Sequence, residues 1–307
     1  MDVLAVFDVI LLGVVVVTAV IAVLLRRRQG AVAAFLVFGV LLAVLWARLG
    51  APDIAVAEAV LGGGITGALL VDALSGSAGR HPTGATRRWW IAGGFGVAGA
   101  VVVATGLLAV TMRLSPPTGA LPAAVASAAP ASGAEHPVTA VLLNFRSFDT
   151  LLEIAVVMIA AFAATAVSDG AWARRLEAHA DLGRIGTLLV PAVLLLAGWF
   201  LVAGTTRPGG AFQSGAMVSA GLLIAYLTGA RGASTRGIAG EWFVALGTLS
   251  FIALAGATAV WGDGWLVLPE AGASAIILAI EAVLAISIGV GLARIFVANR
   301  RAEREVR

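Results

Sequence analysis

The chain has 307 residues, is 60% hydrophobic and only 12% charged, and carries a formal net charge of +3 from 20 basic and 17 acidic side chains. Water-soluble globular chains are about 45–50% apolar and about 25% charged, so this composition points to a bilayer as the solvent and to an all-α, polytopic integral membrane protein. The absence of cysteine excludes disulfides, thiolate metal sites, cysteine nucleophiles and iron–sulfur ligation, and the basic residues, all Arg, flank apolar runs instead of lining one amphipathic face, which argues against nucleic acid as a partner.

Crossing a hydrocarbon core takes about 20 residues. Runs of that length lie near 3–25, 30–49, 54–74, 90–111, 148–167, 186–204, 211–229, 238–260 and 272–297, which predicts nine transmembrane helices. The first follows an acidic leader, MDVLAVFD, precedes its arginines and is too long for a cleaved signal core, so it reads as a span with its N-terminus outside. The next two follow closely through RRRQG and the APD turn, giving a three-helix module over 1–75.

Residues 76–185 form a two-helix module. Its spans are separated by 115–137, rich in Pro, Ala, Ser and Gly and expected to be an extended external loop. It ends in 171–183, whose pattern suits a short cytoplasmic interfacial helix with Trp172 and Leu176 on one face. The last four spans make a module over 186–307. Within it RPGGAFQSG, 207–215, reads as a tight turn whose Gln213 and Ser214 satisfy backbone groups at the start of the following helix. No internal repeat is visible, so the inverted-repeat layout of many transporters finds no support.

The arginines test the span count independently. With the N-terminus outside, sixteen fall on one side, and only Arg48, Arg113, Arg146 and Arg207 on the other. Positively charged flanks stay in the cytoplasm, so this asymmetry places the C-terminus there.

Ionisable groups inside a membrane are costly and mark functional positions. Glu281 sits mid-span in AIILAIEAVLAISIG, where it is either a protonated acid bonded to a neighbouring helix or part of an ion or proton path. Glu58 lies one turn into the third span and is favoured as functional, whereas Asp53, just after Pro52, has the position of a helix N-cap. Asp149 and Glu153 share a helix face at i and i+4; Arg146 can pair with Asp149, so this group is either an interfacial charge cluster or part of a path. Asp8, Asp72 and Glu241 lie near span ends and are expected to face water. The histidines His81, His136 and His179 are far apart in sequence and expected in loops or at surfaces, so no metal cluster and no organic cofactor is expected.

LGGGITG interrupts the third span. Ala59, Gly63 and Gly67 make a small-residue stripe that permits close helix contact, and the run Gly62, Gly63, Gly64 favours a local bulge or hinge. Gly62, Gly64 and Gly67 also match the dinucleotide-binding pattern of glycines, but no strand precedes them and the segment is membrane-embedded.

APDIAVAEAVLGGG resembles the signature of the MbhD-type module found in membrane-bound hydrogenases and in the large A subunit of Mrp-type cation/proton antiporters. HPVTAVLLNFRSFDTLLEIAVV, 136–157, is similar to the segment that follows there, an MbhE-like module, with Asn144 and Ser147 at two of its usual positions. Residues 186–297 resemble the MnhB-type B subunit, with TTRPGGAFQSG in place of its glycine-rich turn and without that turn's usual His and Asn. The resemblance implies an MbhD/MbhE-like module fused to an MnhB-like one, acting as a multi-pass inner-membrane subunit of a multisubunit Na+/H+ antiporter.

By the same resemblance, Asp53, Glu58, Asp149 and Glu153 match motif acids that would line a path for protons or sodium; Glu281 aligns with no motif. The glycines match a bulge proposed to switch in the related J-type subunit of respiratory complex I. The chain contains no lysine and no long discontinuous-helix antiporter domain. The expected partners are therefore other membrane subunits, including a large antiporter-like one. The alternatives are an ion-pumping subunit of a hydrogenase- or complex I-like redox complex and a purely structural scaffold.

Overall fold

A computed structural model describes residues 3–76, 86–113, 119–167, 180–228 and 237–302. Among these residues the chain is all-helical. Its helices are α1 (Val3–Leu24), α2 (Arg28–Arg48), α3 (Pro52–Ala57), α4 (Gly67–Gly76), α5 (Thr86–Arg113), α6 (Ala120–Ala128), α7 (Pro137–Ala140), α8 (Ser147–Val167), α9 (Ala180–Ala203), α10 (Ala211–Leu227), α11 (Gly237–Trp261) and α12 (Ala273–Ala302). Among the described residues seven helical stretches are long and apolar enough to cross a membrane. Large apolar side chains stand exposed along them, as expected for a multi-pass membrane protein whose outer solvent is lipid.

The nine expected runs each coincide with helical residues, and α10, with 17 residues, falls short of the about 20 that a perpendicular crossing takes.

The third expected span is one continuous helix of three parts. Between α3 and α4, residues Glu58–Thr66 wind as a nine-residue π-helix. Three adjacent glycines resist the tighter α-helical winding least, since they bring no side-chain packing to hold it.

The chain divides into two compact units. One holds residues 77–127 and includes α5 and nearly all of α6. The expected extended loop is thus partly helical: 120–128 is α6, followed by a 3-10 turn at Ala129–Ala131. Its alanines favour helix, and its prolines fall near the start of α6 and in the closing turn, where a missing N–H matters least. The expected interfacial helix at 171–183 lies outside the described residues up to 179, and 180–183 begin α9.

In the other unit, 1–76 and 128–307, α12 is the central post and packs against α8, α10 and α11. Ile277, Leu284 and Ile288 of α12 join Ile154 of α8 and Phe251 of α11 in the largest core cluster. Glycines let backbones meet: a Cβ on Gly289 of α12 would stand 2.9 Å from the carbonyl oxygen of Gly215 on α10. α1 pairs with α2, and α2 lies along the composite third helix. There a Cβ on Gly39 would come 3.1 Å from the Gly63 Cα, so part of the small-residue stripe is used for close contact, whereas Ala59 is exposed.

Candidate functional site

The site forms where four segments converge on the start of α10. The turn from α9 closes through Gly210 N–H donating to Phe200 O at 2.9 Å, and Gly210 adopts φ 105°, a conformation that favours glycine. A side chain there would also come 2.7 Å from Glu281 Oε1. The PGG of the turn thus serves two needs, the backbone bend and room for a carboxylate.

Two acids from opposite ends of the chain take amides of this turn. Gly209 N–H donates to Asp53 Oδ1 at 3.3 Å, and Ala211 N–H donates to Glu281 Oε1 at 3.3 Å. Orphan amides and the positive end of the dipole make a helix start a good seat for carboxylates. Gln213 donates to the Asp53 carbonyl at 3.4 Å and does not serve the start of its own helix, contrary to the sequence expectation. Asp53 is likewise not the N-cap of α3: Ala51 holds that position, Asp53 lies inside the first turn, and its carboxylate reaches to other segments.

The fourth segment is the stretch before α7. Glu135 and His136 N–H both donate to Thr205 O, at 3.0 and 2.9 Å, and Thr139 donates to Gly204 O. These bonds place the His136 ring with Nε2 2.8 Å from Asp53 Oδ2. The two side chains keep only 14% and 13% of their surface exposed, so His136 is not the surface-loop residue its sequence position suggested. His81 and His179 lie outside the described residues.

Asp53, Glu153 and Glu281 line one cavity of about 650 Å³ with Thr139, Thr150 and Gln213; the remaining wall is mostly apolar, including Leu142, Val156 and Leu284. Glu281 is 2% exposed, and its Oε2 has no hydrogen-bond partner among the described residues. It begins its contact with α10 eight residues past the first residue of α12, about 12 Å along the helix axis. The start of α10 is thus seated on a carboxylate carried by α12.

Two expected path acids stand apart from the cavity wall. Asp149 pairs with Arg146 at 2.5 Å in a largely exposed contact. Glu58 opens the π-helix, and its carboxylate folds over Gly62, where any side chain would collide with Oε1. Among the described residues no cluster of three or more His, Cys, Asp or Glu side chains is arranged to hold a metal ion. The signal that could have found His136 was its place one residue before Pro137 in a motif already noticed; its partner is 83 residues away.

Residues 13–77 match the MbhD family model, which describes the D subunit of MBH, and 182–298 match the domain related to the MnhB subunit of Na+/H+ antiporter. No curated protein matches the chain. The fold is similar to a chain in the structure of the Mrp complex from Dietzia sp. DQ12-45-1b, with 25% identity and a TM-score of 0.74 over 94% of this chain. That match covers 34% of the Dietzia chain, so the present chain spans about a third of its length.

Proposed function

We propose that this chain, which joins an MbhD domain to an MnhB-related domain in one all-helical membrane protein, is a non-enzymatic subunit of a multisubunit monovalent cation/proton antiporter in the cell membrane. Its partners are other membrane subunits, among them a large antiporter-like one, and its ions are Na+ and H+. The N-terminus faces outward and the C-terminus the cytoplasm, by the distribution of arginines.

One observation carries the ion-path reading. Asp53, Glu153 and Glu281, from three separate parts of the chain, line a single cavity inside a membrane bundle. Glu281 offers one carboxylate oxygen to the Ala211 amide, and the other has no hydrogen-bond partner among the described residues, which leaves it able to meet a proton or cation. Asp149 supports the entry of α8 through Arg146 and stands beside the path, one turn from Glu153.

The π-helix supplies the shift. Its backbone bonds skip one residue more than α-helical ones, so conversion to α-winding turns Glu58 relative to α4. Gly62 leaves space for the Glu58 carboxylate, Gly63 keeps contact with α2, and Gly64 and Gly67 keep the segment slim. Glu58 then alternates between its folded position over Gly62 and the cavity side, where Ala57 and Leu61 already line the wall.

A redox-driven pump is the second reading, and the match of the first domain to the MbhD model favours it; the MnhB-related domain and the Mrp-like fold favour antiport. The test is Glu281→Gln in the assembled complex, with Na+-dependent proton movement followed in everted vesicles. A loss of at least about tenfold with unchanged subunit content is expected. Unchanged transport would overturn the path and leave the scaffold reading.

A further inference from the structure

We infer that His136 is the proton-exchange residue that connects Asp53 to the outer surface, an inference that rests on the ion-path reading above. The geometry carries it. The ring faces Asp53 of α3 through Nε2 at 2.8 Å, and the pair is mostly withdrawn from solvent. The segment bearing it is pinned by two amides on Thr205 O, so the ring is held in place by backbone bonds that do not involve its side chain.

Its neighbours in the chain, Glu135 and Pro137, are exposed, and the ring itself keeps 14% of its surface. The histidine therefore stands between the exterior and a carboxylate that lines the cavity. Around it, α3 contributes Asp53, the turn before α10 contributes the uncharged Gly209 amide on the other carboxylate oxygen, and its own segment contributes Glu135.

Imidazole can hold a proton on either nitrogen, which a carboxylate–amide contact cannot reproduce. Uptake of an aqueous proton at Nδ1 and release of the Nε2 proton to Asp53 Oδ2 leaves the ring neutral and the carboxyl protonated. Once the carboxyl has passed its proton on, water removes the Nδ1 proton and supplies one to Nε2, which resets the ring with no net transfer. In the opposite direction the same steps return a proton from Asp53 to water. A purely structural histidine would only need to donate one hydrogen bond to Asp53.

That difference sets the experiment. His136→Ala and His136→Gln are made in the whole complex, and transport is measured in vesicles with and without added imidazole, beside Glu281→Gln. The Gln variant keeps a donor for Asp53 but cannot relay. Both variants are expected to slow transport at least about tenfold with normal subunit content, and imidazole is expected to restore part of the rate in the Ala variant. A Gln variant near the unmodified rate, or an Ala variant that assembles and is not restored, would overturn the relay while a slow Glu281→Gln leaves the path standing. Unchanged rates in all three would overturn the path and the relay together.

Discussion

α2 and α12 are equally apolar by mean hydropathy, yet half of the α12 span is buried inside the protein and only 6% of the α2 span. In water such a difference in burial would show as a difference in composition. In a bilayer it does not, because lipid tails accept apolar side chains as readily as other helices do. What separates the two helices is shape and the few polar groups. α12 meets α10 with glycine opposite glycine and carries Glu281 into the interior, whereas α2 has one buried residue, Gly39, and otherwise presents side chains such as Val37 and Val40 outward.

Three substitutions test that contrast, each read as the melting point of the detergent-solubilised protein, alone and in the complex, and its yield in the membrane. Gly289→Leu should have the largest effect. Its first added carbon already overlaps Val218 and the Gly215 carbonyl, so α10 must separate from α12, at about 3 kcal/mol or more and with loss of folded protein. Normal yield and melting would mean that the helices are not in this contact.

Leu284→Ala comes next. The side chain is fully buried in the core cluster, so truncation should cost about 2–4 kcal/mol through lost contacts and a residual cavity. A loss below about 1 kcal/mol would show that α12 is not the packed post of the bundle. Val40→Ala, 60% exposed on α2, should change stability by less than about 0.5 kcal/mol in the isolated chain. A larger loss confined to the assembled complex would identify this face of α2 as covered by a partner, and a large loss in the isolated chain would remove the contrast.

Much of the fold is legible along the chain because its determinants are local. Apolar runs give helices, since no other open structure satisfies its backbone in lipid, and LGGGITG marks the place where the winding loosens. The acids were also legible, because each breaks an apolar run. Their grouping was not. Asp53 looked like an N-cap by position, and nothing near it announces that its carboxylate meets Gly209, 156 residues away, and His136, 83 residues away. The alanine-rich 115–137 segment misled in the opposite sense: its prolines suggested an extended loop, and helix propensity prevailed over 120–128.

The sequence by itself determined the solvent, the helices and the presence of costly acids inside them, because hydropathy, propensity and desolvation act residue by residue. Only the tertiary structure decided which acids share a cavity, that α10 starts between Asp53 and Glu281, and that a histidine outside the spans completes the cluster. The physical reason is that a buried carboxylate is kept by whichever donors the packing brings within hydrogen-bond reach, and those donors lie on segments far apart in the chain.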